Sequence, residues 1–271
     1  MNDWIVCIPS YNRVQTLKEK TLTVLQTYKI PASKIYIFVA NEEQKKMYEE
    51  GLDKDSYAKL VVGVKGLAEV RNFIFEYFPV GKRLVQCDDD IRAFLEYDSR
   101  ARRHEKPLKD LNAVIERGFA ECKKAGARLW GVYPVPNGFF MKPTVSTDFK
   151  FCIGSFWGCI NPGRELLLPF GGEKEDYQRT IQFWEADGAV VRLNFVAPKT
   201  AYYKEPGGMQ EGDRVAKQRA TVKRMLKKWP QYIKLNPRRK SGYPELKLIG
   251  QKEQPNSSSD TKTRKVKRHT N

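Results

Sequence analysis

Arg83-Leu84-Val85-Gln86-Cys87-Asp88-Asp89-Asp90 runs from a short apolar segment directly into three consecutive carboxylates. The apolar part has the length and composition of a buried parallel strand. Adjacent acids repel one another, so one of them tends to bind a proton unless a cation neutralises them. Mg²⁺ takes one or two carboxylates in proteins, together with waters and substrate phosphates. The stretch therefore predicts a strand that ends in a cation-binding loop, with a solvated acidic loop as the alternative.

The alternation of strand and helix extends through the first 90 residues. Apolar runs predict three more buried strands, at Trp4–Ile8, Ile35–Ala40 and Leu60–Val62. Helices are predicted between them, at 16–28, 42–51 and 67–78. This order is typical of an α/β fold, a mostly parallel sheet flanked by helices, in which ligands bind beyond the carboxyl ends of the strands.

The second half of the sequence is more mixed. It predicts helices at 108–125 and 175–185, strands at 128–132 and 190–196, and antiparallel strands within 135–160 that turn at Asn137-Gly138. A basic helix capped by Asp213 is predicted at 213–229. We therefore expect a domain over 1–203, a basic helical extension over 204–250 and a disordered basic tail over 251–271.

The charge of the chain is concentrated near its end. Of the net charge of +17, residues 204–271 supply +13 (19 Lys and Arg against 6 Asp and Glu) and residues 1–203 supply +4 (30 against 26). A basic block of this size indicates a polyanionic partner, which would be nucleic acid or an anionic membrane surface. A solubilising tail is the alternative explanation.

Composition also points to a soluble protein. The 271 residues contain no run of 18 apolar residues, and the start lacks the pattern of a signal peptide. Five cysteines without CxxC spacing indicate buried thiols in a reducing compartment, so we expect a cytoplasmic protein. His104 and His269 are the only histidines, which argues against a histidine-rich metal site.

Three further motifs have residue types suited to ligand chemistry. Pro9-Ser10-Tyr11-Asn12-Arg13 follows the first strand and offers an aromatic ring and an arginine to a nucleotide. The segment 63–72 includes Gly66 and Arg71 at a helix start, where backbone N–H groups favour anions. Glu175-Asp176 opens a later helix, where a carboxylate either complements the helix dipole or acts as a general base.

The order of these four motifs resembles that of the GT-A glycosyltransferases over about residues 4–200. The resemblance implies a metal-dependent enzyme that uses a nucleotide-sugar. The residues that would bind the donor are Pro9, Ser10, Tyr11, Arg13, Gly66, Arg71, Asp88 and Asp89. Asp90, together with Asp88, would hold Mg²⁺ or Mn²⁺ on the diphosphate, and Asp176, with Glu175 beside it, would be the base of an inverting displacement.

One departure from the GT-A pattern concerns the metal. Many GT-A enzymes place a late histidine on it, and the only late histidine here is His269 in the predicted tail. Lys204 would instead balance the charge of the leaving diphosphate.

Within the GT-A proteins the chain is most similar to the TET/JBP-associated glycosyltransferases of phages and some eukaryotes. The cues are Cys-Asp-Asp-Asp-Ile at 87–91, Gly-Ser-Phe-Trp-Gly at 154–158 and the basic segment 214–247. The resemblance implies transfer from UDP-glucose to a hydroxymethylated pyrimidine in DNA, and possible acceptor contacts at Phe156 and Trp157, whose alternative role is in the core. A phage-encoded enzyme acting inside the infected cell would fit this subfamily.

Three alternatives to this function stay open. The acceptor could be a polysaccharide, lipid or protein, with the basic end on an anionic membrane. The chain could be a non-catalytic nucleic-acid-binding protein on a degenerate α/β scaffold. A nucleotidyltransferase that uses the same acids is the third alternative.

Overall fold

The computed structural model describes residues 3–200, 214–237 and 243–250. Its first half forms four parallel strands, as predicted: β1 (Trp4–Pro9), β2 (Ile35–Val39), β3 (Lys59–Val62) and β4 (Arg83–Cys87). Consecutive residues of β1 enter different clusters, with Val6 and Ile8 in one and Cys7 in the other. The sheet is therefore covered on both faces, which is why these strands are apolar throughout.

Helices connect the four strands. After β1 the chain forms α1 (Val14–Leu17), a π-helical turn (Lys18–Leu22) and α2 (Thr23–Thr27). The next two helices are α3 (Glu42–Gly51) and α4 (Leu67–Tyr77), and short 3₁₀ turns at Ala32–Lys34 and Lys54–Ser56 precede β2 and β3. The continuous helix predicted for 16–28 is thus interrupted by five residues of π-helix.

The second half extends the sheet and adds a smaller one. Its elements, in chain order, are β5 (Ala93–Tyr97), β6 (Glu105–Pro107), α5 (Leu111–Ala125), β7 (Leu129–Val132), β8 (Val145–Ser146), β9 (Phe156–Ile160), a 3₁₀ turn (Gly163–Leu166), α6 (Glu175–Asp187), β10 (Val191–Leu193) and β11 (Val196–Lys199). The main sheet has the order β3-β2-β1-β4-β9-β7-β10-β8, and β11, β5 and β6 form a three-stranded sheet. Strands β8 and β9 are antiparallel to their neighbours, so the main sheet is mostly parallel, as expected.

Within 135–160 the structure has a turn at Asn137 and two strands that are antiparallel to their neighbours, as predicted, but the strands do not flank the turn. The segment 134–144 contains no strand, and Asn137 begins a turn that is closed by Phe140 N–H at 3.0 Å. The two strands of this region, β8 and β9, pair with β10 and with β4 and β7 instead of with each other. Their partners are distant in sequence, and a local turn signal carries no information about them.

The basic segment packs onto the α/β core. It forms α7 (Arg214–Lys228) and a hairpin of β12 (Ile233–Leu235) and β13 (Leu246–Leu248). Met225 and Trp229 are buried in one cluster with Phe149 and with Ile181 of α6. Each such side chain stabilises the fold by about 1.5–3 kcal/mol when fully buried, so α7 is an integral part of the structure.

Parts of the predicted organisation lie outside the described residues. These are the boundary at 203/204, the helix cap Asp213 and the tail 251–271, which stay predictions. Over the residues that the structure does describe, no helix has both the length and the apolar character needed to span a membrane.

Candidate active site

A cleft of about 1680 Å³ opens at the carboxyl ends of the parallel strands. Two parts of the chain line it. The first wall is formed by Pro9–Tyr11, at the end of β1, and by Asp88–Asp90, after β4. The second, or far, wall is formed by Gly171–Tyr177, at the start of α6, and by residues of α7 and the last hairpin. The fold therefore brings the motifs after β1 and β4 and the Glu175-Asp176 motif to one cavity.

The acidic loop is fixed by contacts from two separate elements. Thr21, in the π-helical turn, donates its hydroxyl to the carbonyl of Asp88 at 2.7 Å and accepts from the backbone N–H of Ile91 at 3.0 Å. From the other side, the backbone N–H of Asp88 donates to the carbonyl of Ser155 at 2.9 Å. The π-helical turn therefore places the Thr21 hydroxyl between Asp88 and Ile91, so that it bonds both ends of the acidic loop.

Arg71 is a buried arginine that orients Asp88. Its side chain is 1% exposed, and its Nη2 lies 2.8 Å from Asp88 Oδ1 and 3.3 Å from the carbonyl of Gly154. Its Nη1 donates to Gln86 Oε1 at 2.5 Å. The prediction that Arg71 faces the nucleotide is wrong, because the side chain is 1% exposed and its guanidinium donates to Gln86, Asp88 and Gly154.

Asp89 is held from the loop after β1. Ser10 donates to Asp89 Oδ2 at 2.6 Å, and Arg13 Nη1 lies 3.1 Å from Asp89 Oδ1. Tyr48 of α3 supports both partners, because its hydroxyl lies 2.6 Å from Ser10 Oγ and accepts from the backbone N–H of Arg13 at 3.1 Å. Ser10, Arg13 and Asp89 all line the cleft, but their polar groups are used largely to hold the two loops together.

The tip of the first loop presents Tyr11 to the cleft. Asn12, next to it, has a left-handed backbone (φ 55°), and its side chain and backbone N–H exchange hydrogen bonds with the amide of Gln44, at 2.6 and 2.9 Å. The ammonium of Lys65 lies 4.8 Å from the centre of the Tyr11 ring. Gly66 follows with φ 111°, at the start of α4, so the loops after β1 and β3 meet at this edge of the cleft.

Glu175 and Asp176 have different environments although they are adjacent. Glu175 forms a buried ion pair with Arg179, one turn further along α6. Asp176 Oδ1 accepts from the backbone N–H of Tyr177 at 2.9 Å. Burial raises the pKa of Asp176 to about 6, with a further rise from the charge of Glu175 and an opposing effect of Arg179. A carboxyl group with such a pKa is mostly ionised near neutral pH, so Asp176 is the better candidate for a base.

The carboxylates of the cleft repel one another. Burial raises the pKa of Asp88 to about 7, although 36% of its side chain stays exposed. Arg71 opposes this rise, whereas the charges of Asp90, Asp89 and Glu175 add to it. The acidic loop therefore has three carboxylates, Asp88–Asp90, against the guanidinium groups of Arg13 and Arg71, and a cation bound there would be stabilised.

Asp88 and Asp90, which flank the tightly bonded Asp89, both line the cleft. Within 3–200, 214–237 and 243–250, no three His, Cys, Asp or Glu side chains are grouped so that they could enclose a metal ion. Mg²⁺ commonly binds one or two carboxylates and completes its coordination with waters and substrate phosphates. The residues therefore fit an open metal site that a diphosphate would complete, and not a cage made by protein alone.

The part of the far wall that comes from the end of the chain is basic, with Lys217, Arg224 and Lys247 against Glu245. Lys217 and Arg224 of α7 line it, and Arg224 Nη2 donates to the carbonyl of Phe170 at 3.3 Å. Lys174, just before α6, lies 3.4 Å from Glu245 of the hairpin loop. These contacts join the basic segment to the loop that leads into the candidate base.

Two predicted site residues lie elsewhere, and one is not described. Phe156 and Trp157 are 0% exposed, so the prediction that they contact an acceptor is wrong. Strand β9 lies between β4 and β7, and both of its faces are covered, which places the two rings in the core. Lys204 lies outside the described residues and stays a prediction.

Sequence reasoning missed several supporting residues. Thr21 and Tyr48 belong to helices whose apolar spacing gives no sign of a polar role. Arg179 lies one turn after Glu175, a spacing typical of an ion pair on a helix, and this was the one available signal. Its guanidinium also lies 3.8 Å from the ring centre of Trp157.

Solved structures share this fold. S. aureus TarS matches over 83% of this chain and 40% of that chain, with a TM-score of 0.50 and 11% sequence identity. A structure of TarS 1–349 in complex with UDP matches over 72% of this chain and 60% of that one, with a TM-score of 0.47 and 11% identity. The mannosyltransferase PcManGT from Pyrobaculum calidifontis, in complex with GDP-Man and Mn²⁺, has a TM-score of 0.40 and 15% identity over 72% of this chain and 53% of that one.

These matches concern the fold alone, and the chain spans only 40–60% of the length of these neighbours. Together with the sheet order, the match to TarS confirms the predicted class, the mostly parallel α/β sheet of the GT-A fold. No protein-family model and no curated protein matches the sequence.

Proposed function

We propose that the protein is a glycosyltransferase that transfers a sugar from a nucleotide-sugar to the hydroxymethyl group of a modified pyrimidine in DNA. UDP-glucose is the proposed donor, and the reaction inverts the configuration at the anomeric carbon. The observation that carries the proposal is that Asp88–Asp90 and Asp176, from two distant parts of the chain, line one cleft at the carboxyl ends of the strands.

The first wall has the groups that a nucleotide diphosphate needs. The ring of Tyr11 and the backbone around Gly66 are accessible from the cleft, where they suit a base and a phosphate. Arg13 and Arg71 are positioning residues in this scheme, because they hold Asp89 and Asp88. Mg²⁺ or Mn²⁺, held by Asp90 and Asp88 when bound, would stabilise the charge of the leaving diphosphate.

The second wall supplies the base. Asp176 takes the proton of the acceptor hydroxyl as its oxygen forms a bond to the anomeric carbon. The bond between that carbon and the diphosphate oxygen breaks, and its electron pair leaves with the diphosphate. The raised pKa of Asp176, about 6, makes it a stronger base than an exposed aspartate while it stays mostly ionised near pH 7.

DNA as the acceptor is supported by charge and by size. Helix α7 contains seven Lys and Arg and no acid, and Lys217 and Arg224 reach the cleft wall. The cleft, at about 1680 Å³, exceeds the roughly 300–1,000 Å³ of a pocket for one small ligand. It can therefore hold a donor and an extrahelical base together, and a base within a duplex has to leave the stack to react.

The test is transfer of labelled sugar. The protein is incubated with UDP-glucose, Mg²⁺ or Mn²⁺ and hydroxymethylated duplex DNA, and the nucleosides are then analysed by mass spectrometry. We expect a hexose on the modified pyrimidine, and its loss in Asp90→Asn and Asp176→Asn. Asp55→Asn is the matched control, because Asp55 is an exposed acid near the amino end of β3, away from the cleft.

Other outcomes would refute part or all of the proposal. Transfer to a polysaccharide, lipid or protein acceptor but never to DNA would leave a glycosyltransferase with a different acceptor. DNA binding that survives Asp90→Asn, without turnover from any sugar nucleotide in the parent protein, would identify a binding protein and refute the enzyme.

A further inference from the structure

Phe139 and Phe140 are the exposed phenylalanines of the described residues. Their side chains are 63% and 60% exposed, whereas the other large apolar residues of comparable exposure are single and scattered. They follow Val135, which is 41% exposed and lines the cleft. Two neighbouring aromatic rings that are exposed to solvent beside a cleft indicate a surface that binds a partner.

The two rings are presented by a well-supported turn. The backbone N–H groups of Phe139 and Phe140 donate to the side chain and to the carbonyl of Asn137, both at 3.0 Å. Gly138 donates to Glu105 Oε2 at 2.7 Å, and it packs so closely on the backbone of Arg103 and His104 that no Cβ would fit.

The turn is anchored at its far end as well. Met141 is 2% exposed, and the backbone N–H of Lys142 donates to the carbonyl of Asn194 at 3.0 Å. The ring of His104 lies 5.0 Å from that of Phe139. We call residues 98–105 and 134–142 together the aromatic tip.

The aromatic tip is rich in cations. Arg100, Arg102, Arg103 and Lys142 are exposed there, against the acids Asp98 and Glu105, which gives a net charge of +2. Arginine predominates, and its planar guanidinium can form two hydrogen bonds to one phosphate. Arg100 and Arg103 form ion pairs with Asp98 and Glu105, at 3.6 and 3.5 Å, and the tip as a whole presents exposed cations together with its aromatic rings.

The tip is close to the site of reaction. Phe139 lies four residues after Val135 of the cleft wall, and four residues of chain span at most about 14 Å. Strand β5 (Ala93–Tyr97), which leads into residues 98–105 of the tip, begins three residues after Asp90. A duplex held by the tip would thus have its nearest base pairs beside the cleft.

We propose that Phe139 and Phe140 are a wedge that enters the DNA stack next to the target pyrimidine and keeps the gap open while that base is in the cleft. This inference rests on the proposed function. Apolar side chains inserted between base steps are a general way to unstack a duplex. Two rings suffice for one base step but offer little area to a lipid bilayer, so the DNA duplex is the partner that the geometry favours.

The experiment compares Phe139→Ala/Phe140→Ala with the parent protein on two substrates. One is a duplex with the hydroxymethylated pyrimidine correctly paired, and the other is a short single strand in which the same base is flanked by abasic sites. For the paired duplex we expect kcat/KM to fall roughly 10-fold or more, since base–aromatic stacking contributes that much per base. For the unpaired base, where no stack has to be opened, we expect little change. Val80→Ala, which shortens a 75% exposed apolar side chain before β4, is the control.

A second readout is independent of turnover. A fluorescent base analogue beside the target should brighten when the parent protein binds, because it loses a stacking neighbour, and should not brighten with the double variant. Equal losses on both substrates, or unchanged kcat/KM on the paired duplex, would overturn the wedge while leaving the proposed function intact. Phenylalanine-dependent binding to equimolar phosphatidylcholine–phosphatidylserine vesicles, with no fluorescence change on DNA, would also overturn it. Absence of transfer to either DNA by the parent protein would instead overturn the proposed function.

Discussion

Replacing Arg71 by methionine tests whether this buried arginine organises the acidic loop. Methionine has a similar length and keeps apolar contact with Trp157, whose ring centre lies 5.7 Å from the guanidinium. It removes the hydrogen bonds to Gln86, Asp88 and Gly154. The substitution therefore removes the polar contacts while retaining most of the volume.

The contacts of Arg71 set the expected loss of stability. A hydrogen bond to a charged group contributes about 1.5–3 kcal/mol, and the lower end applies because 36% of the Asp88 side chain is exposed and water can replace part of the contact. Gln86 is 0% exposed, and a buried polar group left without its partner costs about 1–3 kcal/mol. We expect the free energy of unfolding to fall by about 3 kcal/mol, which lowers Tm by about 6–12 °C for a chain of this size.

The loss should depend on pH in one direction. The pKa of Asp88 is raised from its ordinary value of 3.8 to about 7, and Arg71 opposes that rise. Without Arg71 the pKa in the folded protein is higher still. The folded state then binds a proton that the unfolded state releases, so stability falls as pH rises, and it continues to fall to a higher pH in the variant. The difference between variant and parent should be smaller near pH 5 than near pH 8.

Urea unfolding at both pH values, with a chelator present, measures this difference. Arg164→Met is the control, because Arg164 is 82% exposed and pairs with Glu76 at 2.8 Å on the surface. That pair should contribute less than about 1 kcal/mol, with little change between the two pH values. Equal losses for the two variants, or a loss for Arg71→Met that does not vary with pH, would refute the role given to Arg71.

Three further predictions concern the base, the basic wall and the tip. The turnover rate should fall as pH decreases through about 6, where Asp176 becomes protonated, and Asp176→Asn should lower it about 10²–10⁴-fold at neutral pH; a profile flat to pH 5 would contradict this. Lys217→Ala/Arg224→Ala should weaken DNA binding and reduce the slope of log K against log salt by about 2, as measured by fluorescence anisotropy, and an unchanged slope would argue against phosphate contacts there. Gly138→Ala should lower the free energy of unfolding by about 1–3 kcal/mol, because its Cβ would overlap the backbone of His104, whereas Gly250→Ala, with open space around it, should not.

The first half of the fold could be predicted because its signals are local. Each of the strands β1 to β4 is a short apolar run followed by a polar loop, and each predicted boundary agrees with the structure to within one residue. The position of Asp88–Asp90 at a strand end follows from the same pattern. A parallel sheet then places that loop beside the loop after β1 without any further information.

The rest of the site depends on contacts that no local pattern encodes. Phe156 and Trp157 directly follow Gly154 and Ser155, which line the cleft, but β9 pairs with β4 and β7, and the two rings are buried on the two covered faces of the sheet. Arg71 has the sequence context of an anion-binding arginine, yet its guanidinium is directed at Asp88 by the packing of α4 on the sheet. The sequence does not reveal that the Arg71 side chain is only 1% exposed. This burial leaves its guanidinium to hold a carboxylate and not to bind a ligand directly.

The far wall of the cleft has a consequence for how the protein is made. Asp176 and the start of α7 are 38 positions apart, and the hairpin that completes the wall ends only at Leu248. At a synthesis rate of about 5–20 residues per second, the chain between Asp176 and Leu248 takes roughly 4–14 s to appear. Until α7 and the hairpin have been made, Phe149 and Ile181 lack the side chains of Met225, Trp229, Ile233 and Leu246, with which they form one cluster in the folded protein. A nascent chain that stalls there would expose the apolar surface of Phe149 and Ile181 to chaperones and proteases. Synthesis of the basic segment is therefore also the step that covers this surface in the new molecule.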